Sequence, residues 1–171
     1  IPIGIKPEEI FNYIYVILYS NIYREKYNEF LKIDFPRIPF TTDKKLFIKV
    51  AKLGEELVNL HLLKSEALEK PIAKFPTSGD NRLKERKYDE KEKRIYINNS
   101  QYFEGIDSEV WNYYIGGYRV LDKWLKDRID KVLSAEDVSH FLKVITAMKL
   151  TIEIQKQIDK LYPEVEKNPK R

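Results

Sequence analysis

At 171 residues, 43% hydrophobic and 34% charged, the chain can bury the core of one domain and is too apolar for disorder. Its 31 basic and 27 acidic side chains leave a net charge of +4, which permits a polyanionic partner without demanding one. Cysteine is absent, excluding disulfides, thiolate metal sites and a cysteine nucleophile, and no window approaches the roughly 18 apolar residues of a membrane-spanning helix.

Neither a secretory leader nor a membrane partner is expected, so the expected location is cytoplasmic. The chain opens at Ile1 rather than Met and runs directly into IPIGIKPEEIF, which reads as a C-terminal fragment cut from a longer protein.

Pro7, tolerated in a first helical turn, and Glu8 and Glu9, suited to the positive end of a helix dipole, open the first helix. Ile10, Phe11, Ile14, Tyr15, Ile17 and Leu18 form its apolar face, and Ser20 and Asn21 break or cap it. A second helix from about Ile22 to Ile33 completes a helical hairpin. Asp34 to Pro39, with two prolines, is a stiff extended connector. Thr41 or Thr42 caps a third helix from about Asp43 to Lys64, in which Leu46, Phe47, Val50, Leu53, Leu57, Leu60 and Leu63 recur at helical spacing.

From Leu68 the period changes. Turn formers from Pro71 to Asn81 lead to two expected strands, Arg82 to Tyr88 and Arg94 to Asn98, joined by the charged turn Asp89 to Lys93. Asp107 or Ser108 caps a short helix through Trp111; Gly116-Gly117 interrupts; Tyr118 to Arg128 is helical again. Ser134 to Asp137 starts a long final helix to about Leu161, which Pro163 ends, leaving 162–171 as a tail. The expected fold is α+β and mainly helical. A helical hairpin and a long C-terminal helix pack with a small antiparallel β element, in one domain with a β-containing recognition insert at 68–106.

The phosphate loop Gly-x-x-x-x-Gly-Lys, the dinucleotide motif Gly-x-Gly-x-x-Gly and the Asn/Asp-Pro-Pro-Tyr/Phe tetrapeptide of amino-methyltransferases are all missing. His61 and His140 stand alone and read as structural, so no catalytic centre, metal site or cofactor is expected in this chain.

What remains is binding chemistry. The segment Arg82 to Arg94 holds seven bases (Arg82, Lys84, Arg86, Lys87, Lys91, Lys93, Arg94) against four acids, and fits either a phosphate-gripping ribbon or a solvated edge hairpin guarded by lysines. Asn98, Asn99, Gln101 and Tyr102 follow; amides can pair with adenine, or serve as ordinary loop and cap groups. Arg119 and Lys123, four apart, share a helix face behind Gly116-Gly117, a pair that allows close backbone approach or simply breaks a helix. Arg37 is presented between two prolines. Trp111 and Trp124 read as core.

Taken together, several runs resemble a known family. They are Tyr23-Arg-Glu-Lys-Tyr27, Phe35-Pro-Arg-Ile-Pro39, the run Asn-x-x-Gln-Tyr-Phe ending at Phe103, Trp111-x-Tyr-x-Ile-Gly-Gly-Tyr118, and Lys123-Trp-Leu-Lys-Asp-Arg128. From about Pro7 to Leu161 the chain is similar to the C-terminal specificity domain of Type ISP restriction-modification enzymes, with related domains in adenine-specific DNA methyltransferases. The resemblance implies recognition of a short double-stranded DNA sequence on behalf of an upstream N6-adenine methyltransferase domain, which uses S-adenosylmethionine. The rival reading is a helical protein-interaction module without DNA contact; a small hydrolase using scattered carboxylates is weaker, lacking any paired acid–base motif.

Overall fold

The computed structural model describes residues 1–167. It divides into two compact units: one is built from Ile1–Ser65 with the chain from Leu150 onward, the other from Glu66–Lys149. Among the described residues are seven α-helices and two small antiparallel sheets, the expected α+β class. None of these helices is long and apolar enough to cross a membrane.

In the first unit, α1 (Pro7–Tyr19) starts with Pro7 at its first position, and the Lys6 amide donates to the Glu9 carboxylate at 2.8 Å. Ser20 caps α2 (Asn21–Lys26) by accepting from the Tyr23 amide. The expected single second helix is interrupted at Tyr27, whose backbone leaves the helical region (φ −107°, ψ 16°), and resumes as α3 (Asn28–Leu31). The proline connector is fixed by two buried tyrosines: the Tyr13 hydroxyl donates to the Pro39 carbonyl at 2.9 Å and the Tyr23 hydroxyl to the Arg37 carbonyl at 3.3 Å.

Asp43, not Thr41 or Thr42, caps α4 (Lys44–His61), since its carboxylate accepts from the amides of both Lys45 and Leu46. Thr41 instead accepts from the Asp43 amide one step earlier. α1 lies against α4 through Tyr13 stacked on Phe47 at 4.4 Å and through Gly54, where a Cβ would strike the Asn12 carbonyl oxygen. His61 closes the layer, bonded to the Tyr15 hydroxyl at 2.8 Å and the Thr151 hydroxyl at 3.0 Å. Burial holds its imidazole below the usual histidine range.

Helix α7 (Ala135–Lys167) opens as expected at Ser134, whose hydroxyl accepts from the Asp137 amide while the Asp137 carboxylate accepts from the Ser134 amide. It does not stop at Pro163. Proline removes one helical hydrogen bond, but Tyr162 and Val165 on either side are fully buried, and Glu166 accepts from Lys26 at 2.7 Å and Tyr162 at 2.8 Å. Those tertiary ties carry the helix through 162–167; the rest of the expected tail lies outside the described residues.

The second unit is built around strands β1 (Lys87–Asp89), β2 (Arg94–Tyr96) and β3 (Tyr102–Glu104), antiparallel in that order. The third strand was not expected, and the first is much shorter than the span Arg82 to Tyr88. Residues 82–86 leave the ladder because the Leu83 amide bonds Lys131 and the amides of Lys84 and Glu85 both bond the Ile97 carbonyl. Phe103 packs between Phe75 at 4.6 Å and Phe141 of α7 at 4.8 Å. The short helix α5 (Ser108–Trp111) buries Val110 and Trp111, the latter stacked on Tyr88.

Gly116-Gly117 does not interrupt a helix. It is the two-residue loop of a hairpin between β4 (Tyr114–Ile115) and β5 (Tyr118–Arg119), and α6 (Val120–Lys126) starts only after it. Gly116 has φ 59° and Gly117 does not share that sign, the pattern of a type II′ hairpin turn.

Candidate nucleic-acid interface

Side chains of a strand alternate between faces, so the register of β1, β2 and β3 sorts the candidate residues. Tyr88, Ile95 and Phe103 turn inward. The opposite face carries Lys87, Tyr96 and Tyr102 in one cross-strand row and Asp89, Arg94 and Glu104 in the next. Tyr96 and Tyr102 lie 5.4 Å apart, and the Arg94 guanidinium sits 4.2 Å over the Tyr102 ring while pairing with Glu92 at 3.1 Å and Glu104 at 3.6 Å. Two tyrosines on a β platform, flanked by Lys87, form a surface on which a base or sugar can rest.

Beside this face opens a cleft of about 410 Å³ lined by Asp80, Lys84, Glu85, Asn98, Asn99 and Ser100. The expected amides divide sharply here. Asn98 is buried, its amide nitrogen donating to Gln101 at 3.0 Å and the Arg82 carbonyl at 3.1 Å, its oxygen accepting from the Ser100 and Gln101 amides. Gln101 is 0% exposed and bonds the Asn81 amide, the Asn81 side chain and the Thr77 carbonyl. Gly79 lies so close that a Cβ would fall 2.5 Å from Gln101 Cδ. These two amides tie the 77–82 loop to the end of β2, whereas Asn99 is exposed at the rim.

The basic candidates also divide. Lys84 and Lys87 are exposed and have no ion pair among the described residues. Arg82 is exposed but donates to the Asp130 carbonyl at 2.8 Å. Arg86 is half-buried and paired with Asp122 of α6, a partner far away in sequence that reading the chain did not find. Lys123 pairs with Asp127 at 2.6 Å. Arg119 has no carboxylate partner among the described residues, and its guanidinium lies 5.2 Å over the Trp111 ring and 5.6 Å over Tyr114. In the first unit, the Arg37 side chain is 81% exposed, 3.7 Å from Asp34 and over the Phe30 ring. Trp111 is core as expected; Trp124 is half-buried, stacked on Phe141 at 4.4 Å beneath the Arg128 guanidinium at 3.8 Å.

The alternation Tyr102-Phe103-Glu104 was the available sign of β3, and with it of the tyrosine row. Nothing in the local sequence marks Asn98 and Gln101 as interior, because besides bonding each other they bond Arg82, Asn81 and Thr77, from a loop 16 to 24 residues away.

Fold and surface together give a mainly helical α+β chain with exposed bases, tyrosines and an amide around a small sheet. The chain belongs to the Type ISP C-terminal specificity domain family, whose model matches residues 3–157. No curated protein matches its sequence. Among solved structures, it is similar to a nuclease-deletion mutant of the Type ISP restriction-modification enzyme LlaGI in complex with a DNA substrate mimic. There the TM-score is 0.67 and identity 23%, over 90% of this chain and 14% of that one. The ATP-dependent Type ISP enzyme LlaBIII bound to DNA gives a TM-score of 0.68 and 23% identity, over 91% of this chain and 11% of that one. A DrdV–DNA complex gives 0.68 and 21%, over 90% and 18%. The chain therefore spans less than a fifth of the length of each of these proteins.

Proposed function

We propose that this chain is a DNA target-recognition domain: it grips duplex DNA, reads a short sequence and presents the target adenine to a methyltransferase domain elsewhere in a longer polypeptide. Membership of the specificity-domain family carries the reading; the exposed bases and tyrosines of the second unit support it. Lys84 and Lys87 take phosphates, where unpaired ammonium groups displace condensed counterions. Asn99, at the rim of the cleft, offers an amide to a base edge, and the Tyr96–Tyr102 row offers stacking. Arg37 supplies a guanidinium from the first unit. S-adenosylmethionine binds in the partner domain and supplies the methyl group; this chain contributes grip and register.

A salt series tests it. Duplex affinity falls steeply as salt rises, and Lys84→Gln and Lys87→Gln each make the slope of log K against log salt shallower by about 1 without changing thermal stability. A chain that binds no duplex even at low salt, but captures a protein partner, has the interaction-module function instead.

A further inference from the structure

The β4–β5 hairpin is not explained by the fold that carries it. Its three apolar tip residues face solvent: Tyr114 is 51% exposed, Ile115 38% and Tyr118 64%. Ile115 and Tyr118 are direct cross-strand partners and share one face; Tyr114 and Arg119 are partners on the other. Burying such residues is the usual fate of large hydrophobes, and a cluster left out on a hairpin tip marks a contact surface.

The loop glycines sharpen this. Gly116 has a positive φ, which favours glycine by itself. Gly117 has neither a positive φ nor any atom within 4 Å of where a Cβ would stand. The folded chain therefore gives no reason for the missing side chain at 117. A bare backbone at an exposed tip is what close approach to an outside surface requires.

Charge says what that surface is. At the root of the hairpin a cleft of about 280 Å³ is lined by Tyr118, Arg119, Asp122, Lys123 and Lys126 among others. The acid in that lining, Asp122, is taken by Arg86, and Lys123 is itself paired with Asp127, which leaves Arg119 and Lys126. Arg119 keeps its charge uncompensated by any carboxylate among the described residues and is held in place by the Trp111 and Tyr114 rings. Lys126 is exposed and has no ion pair among them. An apolar ribbon tip with free cations at its root matches a duplex: the cations meet phosphates and the tip meets bases. A two-stranded ribbon also fits the roughly 12 Å width of the major groove.

We propose that the Tyr114–Arg119 hairpin is a groove-entering finger, with Gly117 as its point of closest backbone approach to DNA, Ile115 and Tyr118 against base edges, and Arg119 on a flanking phosphate. The inference rests on the DNA-binding reading above and adds the element that enters the groove.

The decisive variant is Gly117→Ala, whose Cβ meets nothing in the free chain. Duplexes captured from a random-sequence pool by the wild-type chain serve as probe. Gly117→Ala leaves the melting temperature unchanged and lowers affinity for them roughly tenfold, with the salt slope retained, because the loss is steric. Arg119→Gln lowers the slope by about 1. Wild-type binding accompanied by guanine N7 protection from methylation, lost in a Tyr118→Ala, Ile115→Ala double variant, places the finger in the major groove. If the wild-type chain binds duplex and Gly117→Ala binds as well, the finger is wrong while DNA binding stands. If the wild-type chain binds no duplex at any salt, the parent reading falls and the finger with it.

Discussion

Gly54 and Gly117 show how differently the two units use the same residue. In the first unit Gly54 exists because α1 and α4 leave no room for a Cβ, the Asn12 carbonyl occupying its place. In the second, Gly117 stands in open space at the end of an exposed hairpin. The contrast extends to polar chemistry. The first unit spends its tyrosines, His61, Asp159 and Glu166 on itself: Tyr13 and Tyr23 pin the proline connector, and Asp159 accepts from Ser20, Asn21 and the Ile22 amide. The second leaves Lys84, Lys87, Asn99, Tyr114 and Tyr118 at its surface. These inward pairs hold the first unit together, whereas the exposed groups of the second are the ones the proposed function places on DNA.

The contrast breaks most violently at Gly54. Gly54→Ala forces α1 from α4 and costs about 3 kcal/mol, read by chemical denaturation; a loss near zero would mean the helices are not tightly apposed. Next comes Gln101, the exception within the second unit. Gln101→Ala strands the Asn81 amide and the Thr77 carbonyl, takes one of its partners from the Asn98 amide, and costs about 2 kcal/mol of stability. Unchanged stability with weakened duplex binding would instead make Gln101 a reader.

His61 offers a smaller, pH-dependent test of the scaffold. The folded imidazole is held neutral below its usual pKa by burial, while the unfolded chain titrates near about 6.5. The unfolded state therefore binds more protons just below that pH. Stability is complete above about 6.5, falls as pH drops from there towards the lower folded value, and levels off beneath it. His61→Gln removes this dependence, as thermal melts across the range would show. The smallest effect is at Gly117, where alanine changes stability by less than about 0.5 kcal/mol; a larger loss would show a packing role that the free hairpin does not display.

Much of the scaffold was legible in the chain. Pro7, the leucine spacing of α4 and the Ser134–Asp137 box each settle their helix locally. What was not legible depends on distant partners. Pro163 reads as a stop, yet Tyr162 and Glu166 are held by Tyr23 and Lys26, from the opposite end of the sequence. Gly-Gly signals a break or a turn with equal force, and only the pairing of Tyr114 with Arg119 decides for a hairpin. On the candidate surface, the basic stretch from Arg82 to Arg94 is real, but charge along a sequence does not reveal which base is spent: Arg86 answers Asp122 and Arg94 answers Glu92 and Glu104, while Lys84 and Lys87 are exposed and have no ion pair among the described residues.

Helix α7 gives the first unit a history as well as a shape. Its C-terminal stretch supplies Asp159 to Ser20, Gln155 to the Tyr19 carbonyl and Glu166 to Lys26. During synthesis, then, the N-terminal helices leave the ribosome without the partner that completes them, while the second unit, continuous in sequence, can assemble in between. Within this chain the first unit is begun before the second and closed after it, and Tyr23 meets Tyr162 only once the whole of the second unit has been made.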